Sequence, residues 1–185
     1  VDNTLAFTFL KPVKGRRVAI IGVGGGVSVY SADVCAIAGL EVPTLSAETL
    51  KELRSFIPSS GTMIKNPMDI GLALRDVDIF KRTLDLVAKD PLIDIIMLNY
   101  HWFMLRFADV ELLNGIKAYL KDFVTEDRYG KPLLAVLESW TFNTEINTNL
   151  AIFGAELTDI GIPVYQSHFR ASMAMTQFVR YYEKK

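Results

Sequence analysis

A glycine-rich turn near the start of the chain has the residue types best suited to binding a ligand. It reads Gly22-Val23-Gly24-Gly25-Gly26-Val27-Ser28, after an apolar β-branched run and before a segment of helical character. A strand, a glycine turn and a helix in this order direct backbone N–H groups and a helix dipole at one point, which attracts phosphate. A side chain there would hold the anion away from the backbone. The predicted phosphate-binding residues are Gly24, Gly25, Gly26, Val27 and Ser28.

Further polar candidates follow other predicted strands, at the edge where ligands bind to parallel α/β sheets. Asn66, Asp69, His101 and Glu138 are the possible ligand-edge residues. Asp69 and Glu138 could act as general acid or base, or could accept hydrogen bonds from loop backbone, which is the commoner role. His101 is more often structural in such a setting, and His168 is predicted to face solvent in the first turn of a helix. No residue is assigned a catalytic role, and no His or Cys spacing indicates a metal site.

The elements that position these residues alternate between strand and helix. Strands are predicted over 18–21, 40–45, the first part of 62–71, 93–98, 132–137 and 162–165, with helices between them and a closing helix after Ser167. This alternation predicts right-handed βαβ crossovers and a doubly wound, mainly parallel sheet with helices on both faces, an α/β fold. Residues 1–12 are predicted to be a tail that packs on the domain or on upstream chain, and residues 13–185 to form the domain.

Composition excludes several classes of function. Of the 185 residues, half are hydrophobic, and 20 basic side chains oppose 21 acidic ones, so nucleic-acid binding has no electrostatic footprint. The single cysteine, Cys35, is predicted to lie in the core, and it fits a reducing, cytoplasmic location. No apolar run approaches the length of a membrane helix. Because the chain begins with valine, we expect it to be part of a longer protein.

Three other interpretations of the same residues remain open at this point. The glycine turn loosely matches a nicotinamide-dinucleotide fingerprint with Glu41 as the ribose acid, although Glu41 begins a weak predicted strand instead of ending one. The glycines could also serve only close helix–strand packing. Finally, Trp102, Phe103 and Trp140 could form the binding face of a non-catalytic interaction or regulatory module.

Five segments in register resemble a known family, the NDP-forming acyl-CoA synthetases, which are relatives of succinyl-CoA ligase, and related protein acyltransferases. The resemblance covers the chain from about residue 12 onward. Its motifs are Gly-Arg-Arg-Val-Ala-Ile-Ile at 15–21, Ala-Gly-Leu-Glu-Val-Pro-Thr-Leu-Ser-Ala-Glu-Thr at 38–49, Lys-Asn-Pro-Met-Asp-Ile at 65–70, Gly-Lys-Pro at 130–132 and Gly-Ile-Pro-Val-Tyr at 161–165.

The resemblance implies a flavodoxin-like domain of the succinyl-CoA synthetase type, equivalent to the carboxy-terminal part of the ligase β subunit. Such enzymes convert acid, CoA and ATP to acyl-CoA, ADP and phosphate, or the reverse, through a phosphohistidine held between two glycine-rich helix N-termini. Neither His101 nor His168 lies in the family's phosphohistidine motif. The resemblance therefore implies upstream CoA-binding and phosphohistidine domains, an ATP-grasp domain or subunit, and a possible homo-oligomer. CoA, ATP or ADP, and Mg belong to the full enzyme. This domain alone is expected to bind no cofactor and to show no turnover.

Overall fold

Helices and strands alternate along the chain, as the sequence predicts. The computed structural model describes residues 1–13, 15–71, 76–101 and 109–185. Its elements are α1 (Asp2–Phe9), β1 (Val18–Gly22), α2 (Gly25–Ala38), α3 (Ala47–Arg54), β2 (Met68–Asp69), α4 (Val77–Lys89), β3 (Ile95–His101), α5 (Val110–Thr125), β4 (Leu133–Glu138), α6 (Thr144–Asp159), β5 (Val164–Tyr165) and α7 (His168–Glu183).

The described strands form one five-stranded parallel sheet with the order β2-β1-β3-β4-β5. Every residue of β1 is buried, as is every residue of β3 and β4 except the last one of each. Strands covered on both faces read as continuous apolar runs, which is why these three are recognisable in the sequence. The predicted doubly wound α/β fold is confirmed.

Helices cover both faces of the sheet and give it two separate cores. On one face, side chains of α1, α2 and α7 pack against alternate strand residues such as Ile20, Met97 and Val136. On the other face, α3 to α6 pack against the intervening residues such as Ile21 and Leu98. The two faces are therefore fixed by the alternation of side chains along each strand.

Capping side chains fix where five of the helices begin. Ser46, Asp76, Asp109, Asn143 and Ser167 each accept a hydrogen bond from a backbone N–H two or three residues further along. Such caps satisfy N–H groups that lack a partner within the helix and stabilise it by about 1 kcal/mol each. Among the described residues, no helix has the length and apolar character needed to cross a membrane.

The predicted strand over 40–45 is wrong. Only a single bridge joins Glu41 to Arg17, and the chain then leaves the sheet edge. Pro43 has no N–H to donate to a ladder, and its carbonyl instead accepts a hydrogen bond from the Asn66 side chain. The edge position beside β1 is thereby left to the segment that contains Asn66.

The predicted strand in 62–71 lies later than expected, since β2 follows the Asn66–Pro67 turn and does not precede it. The amide of Asn66 occupies the edge of β1, where its nitrogen donates to the Val18 carbonyl (2.7 Å) and its oxygen accepts from the Ile20 N–H (2.9 Å). A side chain therefore replaces the missing ladder, and pairing with β2 begins only at Ile21.

The predicted tail contains a helix, α1. It packs on α7, where the ring of Phe7 meets that of Phe178 at 5.1 Å between centroids. Asp2 binds Arg170 through both carboxylate oxygens, at 2.6 and 2.8 Å. The segment thus packs on the domain, one of the two positions expected for it, and tertiary contacts stabilise a helix too short to persist alone.

Candidate functional site

The first turn of α2 presents backbone N–H groups at the carboxyl edge of the sheet. The chain leaves β1 through Gly24, whose φ of 99° is one that other residues rarely adopt, and the helix begins at Gly25. The Ser28 N–H donates to the Gly24 carbonyl at 2.9 Å and closes the first turn. The N–H groups of Gly25, Gly26 and Val27 meet no acceptor among the residues that the structure describes.

Asp69 lies against this turn. Its Oδ1 accepts the Gly24 N–H at 2.9 Å, so Asp69 has one of its two predicted roles, that of an acceptor for loop backbone. Its other oxygen, Oδ2, lies 3.6 Å from where a β-carbon on Gly25 would stand, beside the first open N–H. The N-terminus of α2 is therefore partly compensated by a carboxylate of the protein itself.

Ser28 is turned away from the edge. Its side chain is fully buried, and its hydroxyl donates to the Met68 carbonyl at 3.4 Å. Because its N–H also bonds within the turn, both of its donors are used internally. The open donors of the turn are consequently those of Gly25, Gly26 and Val27.

Asn99 is a site residue that sequence reasoning missed. It is 1% exposed on β3, and neither its amide nitrogen nor its amide oxygen has a hydrogen-bond partner among the described residues. It is in register with Gly22, and a β-carbon on Gly22 would lie 2.6 Å from Asn99 Cβ and 3.1 Å from its Cγ. The Asn99 side chain thus occupies the space that a side chain on Gly22, the last residue of β1, would need. Only the register of two strands, which the sequence does not display, brings it there.

Asn66, another predicted ligand-edge residue, lies below this edge. Both ends of its buried amide are used by the backbone of β1 and by Pro43. It supports the strand from which the glycine turn leaves, and its polar groups do not face the turn.

Glu138 and His101 lie side by side at the ends of β4 and β3, on the face covered by α2 and α7. The His168 Nδ1 lies 2.6 Å from the Glu138 carboxylate, and its side chain is completely buried, so the predicted solvent-facing position is wrong. Ser167 caps α7, and the first residue of the helix, His168, faces Glu138 at the end of β4. Burial lowers the pKa of His168 below its usual value, although Glu138 opposes the shift, and it lowers that of His101 likewise.

Aromatic rings surround this pair. Tyr30 of α2 meets the His168 ring at 5.7 Å and the Trp140 ring at 6.2 Å, both edge to face. Burial and the nearby Glu138 raise the pKa of the Tyr30 hydroxyl. Trp140 remains 58% exposed and Phe142 is fully exposed, both in the segment between β4 and α6. Of the predicted aromatic face, Trp102 and Phe103 lie outside the described residues.

Glu41 lies at the opposite end of β1 from the glycine turn. Its N–H donates to the Arg16 carbonyl and its carbonyl accepts from Val18 N–H, next to the start of the strand. An acid that holds a ribose must stand at the carboxyl edge, where the phosphates bind. This position removes the nicotinamide interpretation. Among the described residues, no group of three His, Cys, Asp or Glu side chains is placed to hold a metal ion.

The sequence of this chain is similar to those of known acetate–CoA ligases. Over 134 residues the chain is 39% identical to the alpha subunit of an ADP-forming acetate–CoA ligase II from Pyrococcus furiosus, covering 72% of this chain and 28% of that subunit. Over 92 residues it is 32% identical to an ADP-forming acetate–CoA ligase I from Archaeoglobus fulgidus, covering 50% of this chain and 13% of that protein. The chain thus spans less than a third of either relative.

Solved structures have the same architecture. A crystal structure from Pyrococcus horikoshii OT3 superposes with a TM-score of 0.74 at 27% identity, over 97% of this chain and 39% of that one. A dinucleotide-forming acetyl-coenzyme A synthetase 1 from Candidatus Korarchaeum cryptofilum, solved apo and in complex with phosphate and ADP, gives the same TM-score at 22% identity over 99% of this chain and 38% of its own. Residues 18–155 match the Ligase-CoA domain family, and the chain belongs to that family.

Proposed function

We propose that this chain is the phosphoryl-binding domain of an ADP-forming acyl-CoA ligase, and that the N-terminus of α2 holds the phosphoryl group. The proposal narrows the predicted site to the N–H groups of Gly25, Gly26 and Val27, since the Gly24 N–H donates to Asp69 and the Ser28 N–H donates to the Gly24 carbonyl. The observation that carries it is this set of open donors at the positive end of a 14-residue helix. Asn99, in register with the last residue of β1, has a buried amide without a hydrogen-bond partner among the described residues.

The remaining chemistry belongs to other parts of the enzyme. We propose that CoA, ATP or ADP, and Mg are bound by other domains of the enzyme, since this chain spans less than a third of either relative. The relatives, of which this chain covers a small part, are consistent with such partner domains. Exposed Trp140, whose ring contacts Tyr30 of α2, and exposed Phe142, two residues further along, would face the domain that brings the phosphohistidine.

Two variants test separately whether phosphate binding depends on the N–H groups of the turn or on the absence of side chains from its glycines. Gly25→Pro removes one open N–H at the first helical position, where proline is well tolerated. Gly26→Ala keeps every N–H and adds a β-carbon with no heavy atom within 4 Å. Binding of inorganic phosphate to each variant is measured by NMR titration of the backbone amides of the turn.

Gly25→Pro is expected to weaken phosphate binding at least tenfold, because a hydrogen bond to a charged group contributes about 1.5–3 kcal/mol. Gly26→Ala is expected to bind phosphate within about threefold of the native chain. Thermal unfolding of both variants provides the folding control. Equal affinities for all three chains, or no phosphate binding by the native chain, would remove the N-terminus of α2 as the phosphoryl site.

A non-catalytic interaction module is the second candidate, and the exposed aromatic side chains Trp140 and Phe142 favour it. Such a module has no need of an anion site. The same titration therefore distinguishes the two, because saturable phosphate binding at the turn supports the first function and its absence the second.

A further inference from the structure

We infer that His168 is a positioning residue for the phosphoryl-binding turn, and that it holds the first turns of α2 in place only while its imidazole is uncharged. This role rests on the proposed function and adds regulation by pH to the same site. His168 acts through α2 and not on the ligand, because its side chain is completely buried.

His168 supports the end of α2 at which the open N–H groups lie. Among the described residues, one ring contact and two hydrogen bonds join α2 to α7, and they are spaced along both helices: Tyr30 with His168 at 5.7 Å between centroids, Cys35 with Ser172 at 3.4 Å, and Ala38 with Thr176 at 2.9 Å. The first of these lies nearest the glycine turn, since the other two are in the second half of α2. Loss of the His168 ring therefore loosens α2 on its α7 side at the end that carries the proposed site.

Glu138 fixes the imidazole in one tautomer. The His168 Nδ1 lies 2.6 Å from the Glu138 carboxylate, and since an ionised carboxylate can only accept, Nδ1 carries the hydrogen. Nε2 then has a lone pair and no hydrogen, and it is buried without a hydrogen-bond partner among the described residues. The uncharged ring thus satisfies its one donor and leaves only an acceptor without a partner.

Charged and titratable groups lie near the His168 ring on four elements: Glu138 at the end of β4, His101 at the end of β3, Tyr30 on α2 and Arg170 on α7 itself. Glu138 favours a charge on the ring, whereas His101 disfavours it because two like charges repel. The Arg170 guanidinium is neutralised by Asp2 of α1. Burial outweighs Glu138 and lowers the pKa of His168 below its usual value, so the uncharged ring is the form that fits this place.

A second proton would place a donor on Nε2 where the described residues offer no acceptor. A buried donor without a partner is unfavourable, and more so when it carries charge. The charged imidazole is therefore expected to turn toward solvent, and Tyr30 loses the ring against which it packs. The N–H groups of Gly25, Gly26 and Val27 are then less well aligned for a tetrahedral anion.

The test measures the sulfate affinity of the intact 185-residue chain as a function of pH, from the NMR shifts of the turn amides. Sulfate is the probe because it stays doubly charged between pH 5 and 8, the range in which the two histidines of the chain ordinarily titrate. The native chain is expected to bind sulfate at least about fivefold more weakly at pH 5 than at pH 8, because misaligned N–H groups lose part of their hydrogen bonding to the anion. A histidine that acted only through its charge would have the opposite effect, since a positive charge near the turn attracts sulfate.

His168→Phe and His101→Phe form a matched pair, because each replaces one of the two histidines by an uncharged ring. His168→Phe keeps a ring against Tyr30 and is expected to bind sulfate equally, within about twofold, at both pH values. His101→Phe keeps a ring against Trp140 and is expected to retain the loss of affinity at pH 5. The midpoint of that loss should coincide with the titration of the His168 ring protons in the same spectra.

Sulfate binding by the native chain that is unchanged or tighter at pH 5 would overturn this role of His168 and leave the proposed function standing. A loss of affinity that persists in His168→Phe would do the same. If the native chain binds neither sulfate nor phosphate at either pH, the proposed function fails as well. The native profile decides the first outcome without any variant, and the same spectra show whether the chain is folded at each pH.

Discussion

Replacing Gly22 by alanine tests whether the close approach of β1 and β3 builds the site. Gly22 ends β1, and the added β-carbon would lie 2.6 Å from Asn99 Cβ and 2.8 Å from the Asn99 backbone oxygen. Neither atom belongs to the flexible end of a side chain. The two central strands would have to separate by several tenths of an ångström, or Asn99 would have to turn away from the edge.

The cost follows from that geometry. Inserting a carbon into a well-packed interior costs about 1–3 kcal/mol, and for a chain of this size each kcal/mol lowers the melting temperature by about 2–4 °C. We therefore expect Gly22→Ala to melt about 3–10 °C below the native chain. Because Asn99 is displaced in this variant, the affinity of the variant chain for phosphate should fall as well.

The assay is thermal unfolding followed by circular dichroism, together with the phosphate titration. Gly26→Ala is the matched control, since its β-carbon meets open space and alanine favours the helix by up to about 1 kcal/mol. A Gly22→Ala chain that melts within 1 °C of native and binds phosphate normally would refute the argument. In that case the glycine would serve neither the packing of the strands nor the placement of Asn99.

Two further outcomes follow from the buried polar groups. The pKa values of His101 and His168 are lowered in the folded chain, chiefly by burial, so unfolding takes up protons as the pH falls through about 6.5. Urea unfolding at pH 7.5 and 5.0 should therefore show a loss of stability of up to about 1.4 kcal/mol per histidine and pH unit. His168→Gln should reduce that loss, and a stability that does not change with pH would contradict the argument. Asn66→Ala leaves the Val18 carbonyl and the Ile20 N–H without their partner and should cost about 2–5 kcal/mol in urea unfolding, whereas a loss below 1 kcal/mol would mean that water replaces the amide.

The sequence predicts those parts of the fold that depend on local patterns. The runs that became β1, β3 and β4 are apolar throughout because both faces of the sheet are covered, and Ser46 and Ser167 cap helices where expected. The strand over 40–45 failed because its place at the edge of β1 is taken by the side chain of Asn66, a contact across more than twenty residues.

Sequence reasoning predicted only those parts of the candidate site that depend on local patterns. Open N–H groups at a glycine turn are a local property, and the turn is where the sequence places it. The burial of His168 against Glu138 depends instead on how α7 crosses the edge of the sheet, 30 residues along the chain. The role of Asn99 depends on strand register with Gly22. The sequence shows only that an asparagine directly follows an apolar run, which does not reveal this role.

The glycines of the turn differ in the physical reason for each, which the sequence pattern alone does not reveal. Gly24 has a positive φ, so its constraint lies in the backbone. Gly22 has no such φ, and its constraint is space, because Asp69 and Asn99 flank it in register. Gly26 has neither constraint and lies in the open, where a side chain would stand beside the exposed N–H groups. Neither backbone conformation nor space therefore requires a glycine at position 26, and alanine there is expected to keep both the fold and phosphate binding close to native.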